Sequence, residues 1–308
     1  MEFDFDQIAV PFRMQPGLQR LEGEGPWLTP LEPGSALARE KRAVVQAGRA
    51  LQQVAGFDAS DAIFSIANYD QGMRTTGHFG IKNASTTDSW ASPDNATQLA
   101  LRFEEDLAIL DGDTGTLPWL CVCVPSHWAP EDKLGLPFGA VHAPVADSAA
   151  LQAAAGQLVR LVTGGEVWQR WVWTITPSGR YDQHPRRTVR TPWPGATNPA
   201  ADAASDPDVS PTAGADPARF ARQCWLRVER QRFLPVRAPD GTLRRQAIFA
   251  IRVMLQPLPE AVQTRAQAQR LHDSLASMTD AVLDYKNLRA ARAPLLRWLQ
   301  ALQQTLPH

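Results

Sequence analysis

Two runs in the last third of the chain restrict its fold more than any other feature. They are RQCWLRVERQRFLPVR (residues 222–237) and RRQAIFAIRVMLQPL (residues 244–258). Both read as strands, and Asp240-Gly241 between them supplies the turn chemistry of a hairpin. Within them Arg227 and Glu229 alternate with Leu226 and Val228, and Arg252 sits between Ile251 and Val253. Charges on one side of an apolar hairpin are either a solvated sheet face or an ion-pair network lining a cavity.

A second hairpin is expected upstream. Leu107-Ala108-Ile109-Leu110 turns at Asp111-Gly112 and returns as the apolar run Trp119–Val124, and so short a connection favours antiparallel pairing. That run feeds a Pro/Gly loop, which carries His127 and Trp128, passes Glu131-Asp132-Lys133 and ends at His142-Ala143-Pro144-Val145. An irregular loop held by a rigid strand is a natural scaffold for a site. The run VWQRWVWTI (residues 167–175) reads as a further strand.

Helices are expected elsewhere. Residues 36–54 have helical spacing, with Ser35 as N-cap and Gly56 as stop. Residues 147–163 form another helix, capped by Asp147 or Ser148, with Leu151, Leu158, Leu161 and Val162 as its stripe and Gly164-Gly165 as its end. From Pro259 to residue 308 the chain turns helical, with Pro294 read as lying near the start of the last helix. Residues 1–34 read as an extended arm, 57–97 as mostly polar with a long loop, and 190–217 as a low-complexity surface insertion. The expected class is α+β, in a single domain.

Composition excludes more than it selects. The net charge of −1 gives no electrostatic reason for a nucleic-acid or acidic-membrane partner. Arg186-Arg187 and Arg244-Arg245 read as solvated surface charge. The three cysteines, Cys121, Cys123 and Cys224, form no disulfide framework, and reduced, partly buried thiols are expected. No stretch has the apolar length of a membrane span, and the acidic N-terminus lacks a basic leader, so a cytoplasmic protein is expected. Walker and dinucleotide-binding loops, HExxH and Gly-x-Ser-x-Gly are all missing. Spacing and composition therefore reach only an α+β protein with a candidate site near residue 142.

Several segments, in order, extend the reading. These are PFRMQPGL (11–18), FEEDLAIL (103–110), VCVPSHWAPEDKLGLPFGAVHAPV (122–145), RWVWTI (170–175), RVERQRF (227–233), FAIRVMLQPL (249–258) and DYKN (284–287). Together they resemble the haem-binding subunit of haem-dependent oxidative N-demethylase and the broad family grouped with it. The resemblance implies a PAS-like antiparallel sheet flanked by helices, with haem b in its concavity and iron held by a histidine. His142 is the implied metal ligand and His127 the second choice. Lys133, Trp128 and Trp173 are implied cofactor contacts. Arg227, Glu229 and Arg252 are implied to orient haem propionates or a cationic amine. The implied reaction is oxidation of an N-methyl group of a small secondary amine, with release of formaldehyde. No flavin or iron–sulfur motif is visible, so electrons are expected from a reductase subunit or a separate reductase carrying such a centre. The alternative is a non-catalytic haem- or ligand-binding sensor or scaffold. The chain departs from the family pattern at Arg170-Trp171-Val172-Trp173 and in the 190–217 insertion.

Overall fold

The computed structural model describes residues 2–14, 17–23, 25–71, 97–141, 148–195 and 216–306. Its strands are β1 (Gln19–Leu21), β2 (Leu51–Gln53), β3 (Glu105–Asp111), β4 (Trp119–Cys121), β5 (Val167–Thr176), β6 (Trp225–Arg237) and β7 (Leu243–Pro257). They form one antiparallel sheet in the order β1-β5-β6-β7-β3-β4-β2. The class is α+β, as expected.

The β6–β7 hairpin is the spine of this sheet, paired from Trp225↔Pro257 to Arg237↔Leu243. The ladder shifts between Pro235 and Val236. Pro235 has no N–H to give, so an irregularity beside it is where a strand can tolerate the ring. At the turn Gly241 takes φ +86°, a conformation open to glycine at little cost. Asp240 Oδ1 accepts the Thr242 N–H at 2.8 Å and closes the turn. The β3–β4 hairpin also forms, with Leu107 opposite Cys121. Asp111 Oδ1 ties its turn by accepting the N–H groups of Asp113 and Thr114 at 3.0 and 2.8 Å.

Helices cover both faces. The described ones are α1 (Ala36–Gln46), α2 (Ser60–Gln71), α3 (Phe138–Val141), α4 (Ser148–Val162), α5 (Pro217–Ala221), α6 (Leu258–Ala261), α7 (Arg265–Ala276), α8 (Asp280–Tyr285) and α9 (Arg289–Thr305). On one face Trp173, Ile175, Leu226, Val228 and Met254 meet Leu271, Leu275, Leu295 and Leu299 of α7 and α9. Further along that face Leu107, Ile109, Trp119 and Leu234 lie in one cluster with Leu37 and Val44 of α1 and Ile63 and Ile66 of α2. On the other face Ala108, Leu110, Leu120, Phe233 and Ala247 meet Phe138 and α4's Val159 and Val162. Burying a side chain such as Leu299 stabilises by about 1.5–3 kcal/mol.

Several sequence expectations change. The first helix stops at Gln46, not near Gly56, because Gly48 takes φ +65° and ends it. Leu51–Gln53 then pairs with β4 as an edge strand. The N-terminal arm supplies β1, which pairs with β5, and buries Phe3, Phe5 and Ile8. In α4, Leu161 is 41% exposed, and Val159 takes its place in the buried stripe. Ser148 is the first helical residue there, and Asp147 lies outside the described residues. Pro294 is inside α9, since the helix already starts at Arg289. Of the 190–217 insertion, residues 196–215 lie outside the described residues, but Trp193 is core. Its ring stacks on Phe220 at 5.9 Å, and its Nε1 donates to the Asn287 carbonyl at 2.8 Å.

Candidate functional site

Alternation along a strand sorts the charged residues by face, and cross-strand partners share a face. Arg227, Glu229 and Gln231 therefore point one way from β6, together with Arg170 of β5, whose register partner is Gln231. Arg252 points the other way with its partners Arg230 and Glu105.

The first set forms one continuous chain of hydrogen bonds. Arg170 Nε donates to Gln231 Oε1 at 2.6 Å, and Gln231 Nε2 donates to Glu229 Oε2 at 2.6 Å. Ser126, from the loop after β4, donates its hydroxyl to Glu229 Oε1. Arg227 Nε donates to Ser126 Oγ at 2.7 Å. Arg227 is 1% exposed, and its other nitrogens donate to the carbonyls of Tyr181 at 2.9 Å and Val124 at 3.0 Å. Burial pulls its guanidinium below the usual range, with Glu229 opposing that pull. So two loops are pinned to the sheet through one buried cation, and a carboxylate is held between a hydroxyl and an amide. Charge-assisted bonds of this kind are the strong ones.

The loop bearing Ser126 is itself under constraint. His127 has φ +59°, a left-handed conformation rare outside glycine. Its side chain is largely exposed to solvent. The surrounding protein, then the charges of Arg190 and Arg227, push its imidazole down to about 4. It is therefore neutral at pH 7, and among the described residues neither ring nitrogen has a partner. A second histidine, His184, is buried, with Nε2 at 3.1 Å from both Glu131 oxygens. Its Nδ1 accepts the Arg186 N–H at 3.1 Å, so the proton sits on Nε2. Burial works against the Glu131 carboxylate, but Arg186 and His184 hold it down at about 2.

The residues expected from sequence fall in three places. Arg227 and Glu229 lie together in the network. Arg252 joins an ion-pair cluster on the opposite face, at 2.5 Å from Glu104 and 2.9 Å from Glu2, beside the Arg230–Glu105 pair at 3.2 Å. Trp173 is also on that face, 5% exposed in the core under the C-terminal helices. Trp128 is partly buried and packs beside apolar residues of both faces. Lys133 Nζ donates to the carbonyl of Val141 at 3.1 Å, the residue before His142. His142 itself, like His78, lies outside the described residues. Of the arginine pairs expected as solvated charge, Arg186, Arg244 and Arg245 are exposed, each with an ion-pair partner. Arg186 pairs with Asp132 at 2.8 Å, Arg244 with Asp61 at 2.6 Å and Arg245 with Asp113 at 2.9 Å. Arg187 is 10% exposed and pairs with Asp182 at 3.2 Å.

Sequence reasoning missed Gln231, Arg170 and Ser126 as members of one network. Gln231 follows Glu229 by two residues and so shares its face, which alternation alone would have revealed. It missed Lys286 as well. The Lys286 ammonium donates to the Trp173 carbonyl at 2.8 Å and lies 5.3 Å from the Phe12 ring and 5.7 Å from the Trp173 ring. Burial depresses it to about 8, with Glu229 opposing. A basic group lowered on folding binds fewer protons than in the unfolded chain between about 8 and its ordinary 10.5. Unfolding free energy therefore rises with pH across that window, and the penalty is complete below it. In urea titrations Lys286→Met is expected to flatten this rise relative to the parent chain. Identical slopes in the two proteins would contradict it.

Among the described residues no three His, Cys, Asp or Glu side chains converge to hold a bare metal ion, and no helix is long and apolar enough to cross a membrane. The family model described as haem-dependent oxidative N-demethylase, alpha subunit-like, matches residues 62–296, which include every residue of the network. That span is well over half the chain, and the protein belongs to this family.

Proposed function

We propose that the chain binds haem b against the face bearing Arg170, Gln231, Glu229 and Arg227, and there oxidises an N-methyl group of a small secondary amine such as dimethylamine. The observation that carries this reading is the Glu229 carboxylate, fixed between the Ser126 hydroxyl and the Gln231 amide. A secondary amine is a cation at neutral pH, and a preoriented carboxylate is the group that receives its N–H.

The residues fit such a cofactor by their chemistry. His127 offers a neutral imidazole with unpartnered nitrogens. Arg170 provides positive charge for propionates, and Trp128 provides a flat apolar surface, while Arg227 is spent on the loops it pins. His142 remains the first choice for the iron on the family resemblance. Lys133 supports it by anchoring the Val141 carbonyl immediately before it. When bound, haem supplies the oxygen chemistry. The chain's own residues bind and orient the amine. Glu229 accepts its N–H, while Ser126 and Gln231 keep the carboxylate aimed. Arg227 keeps Ser126 in place. Arg252 and Trp173 hold the opposite face and act only through the sheet. Membership of an alpha subunit-like family supports an assembly in which another chain, bearing flavin or an iron–sulfur centre, delivers electrons.

The test is an absorption spectrum of the purified chain with added haemin. A Soret band that shifts with dithionite is expected, as is formaldehyde from dimethylamine with oxygen and a reductant. His142→Ala should abolish the band, and His127→Ala should leave it. The reverse result would move the iron to His127. A chain that takes up no haemin sinks the reading, and haem uptake without formaldehyde would make the protein a haem-binding module instead of an enzyme.

A further inference from the structure

Behind the loop that grips Arg227, α1 and residues 180–187 enclose a cleft of about 310 Å³. Four arginines line it, Arg39, Arg49, Arg180 and Arg187, against two carboxylates, Glu40 and Asp182. Both carboxylates are already engaged. The two oxygens of Glu40 accept the N–H groups of Tyr181 and Asp182 at 3.1 and 2.7 Å. Asp182 Oδ1 accepts the His184 N–H at 3.0 Å and an Arg187 N–H at 3.2 Å.

The arginines are not matched in the same way. The guanidiniums of Arg49 and Arg180 make no hydrogen bond or ion pair among the described residues. Arg187 is 10% exposed, and its Nε is shielded from water without a partner. A buried N–H left without a partner is costly. Arg39 donates to the Gly34 carbonyl at 2.5 Å, yet four cations facing two occupied anions, in a chain whose net charge is −1, make a local excess of positive charge.

We propose that this cleft binds an oxyanion, the phosphate or carboxylate group of a small ligand, on Arg49, Arg180 and Arg187. Guanidiniums present paired N–H groups that match both groups. The cleft is joined to the network on the sheet by two short backbone links. Arg227 donates to the carbonyls of Arg180 at 3.4 Å and Tyr181 at 2.9 Å, while Arg187 donates to the Cys123 carbonyl at 3.0 Å, next to Val124, which also receives Arg227. An anion in the cleft therefore tightens the peptide segment that positions Arg227. This site does not depend on haem being bound.

The test titrates the whole chain with inorganic phosphate by calorimetry at constant ionic strength, with citrate as a parallel arm. Saturable one-to-one binding is expected for at least one of them, and the tighter arm names the ligand class. The double variant Arg49→Gln/Arg180→Gln removes two exposed charges, and its fold is checked by circular dichroism. It should bind about tenfold more weakly or worse, since each lost charge-assisted bond is a large fraction of such an affinity. Hydrogen exchange at the Tyr181 and Asp182 amides should slow with the anion in the parent chain only. Equal affinity in parent and variant, no saturable heat with either anion, or binding of an acidic peptide alone would overturn the proposal.

Discussion

Glu229→Gln is expected to lower formaldehyde release from dimethylamine by about 10²–10³-fold, the scale of removing one preoriented polar group from a reacting centre. Haem uptake, read from the Soret band, should be unchanged. The substitution keeps the shape of the side chain, so the loss reports charge. A glutamine at 229 turns one N–H₂ toward either Ser126 or Gln231, both of which now donate to Glu229. It also removes the negative charge that would hold an amine cation. KM for the amine should rise together with a fall in kcat, because both binding and orientation depend on this carboxylate. A variant that keeps parental kinetics would exclude Glu229 from the amine site. It would leave the network a structural tie between the sheet and the 126 and 181 loops.

The largest expected loss of stability is for Lys41→Met. Lys41 is fully buried in α1, and its ammonium lies 3.1 Å from Asp106 Oδ1. It also donates to the carbonyls of Phe103 and Glu105 at 3.1 and 2.8 Å. Burial penalises the charge, yet Asp106, then the nearby thiols, hold the lysine above its ordinary range. Removing the cation strands a carboxylate that is 2% exposed, which costs about 3–5 kcal/mol. Urea unfolding should show that loss in the single variant. Lys41→Met/Asp106→Leu should recover part of it, because a hydrophobic pair needs no mutual charge, although the Val124 N–H then loses its acceptor at 2.7 Å. A single variant as stable as the parent would show that water reaches Asp106.

The hairpins were legible in the sequence because their signals are local. Asp240-Gly241 and Asp111-Gly112 mark turns through backbone preference, and alternation marks strands whatever lies beyond them. The edge strands were not legible. Gln19–Leu21 and Leu51–Gln53 are three residues each and become strands only because β5 and β4 offer open edges. Resemblance pointed to the segments that carry the hydrogen-bonded network but not to its grouping. Arg227, Glu229 and Arg252 look alike on paper, and only the register of β6 against β7 puts Arg252 on the other face. Lys286 was hidden for a different reason. Its depression comes from burial among groups far away in the chain, Phe12 and Trp173 among them.

The strand order has a consequence for how the protein is made. β3 sits in the middle of the sheet, between β4 and β7, with Glu105 opposite Arg252. While the chain is emerging from the ribosome, β3 can pair only with β4, and its other edge stays open until β7 has been synthesised. For that interval Leu107, Ile109 and their neighbours present a row of unpaired backbone groups on an apolar ribbon, the kind of edge on which chains join wrongly. Truncation anywhere before residue 243 should therefore yield aggregates instead of a smaller folded piece. The spine of the finished sheet is the last part of the sheet to arrive.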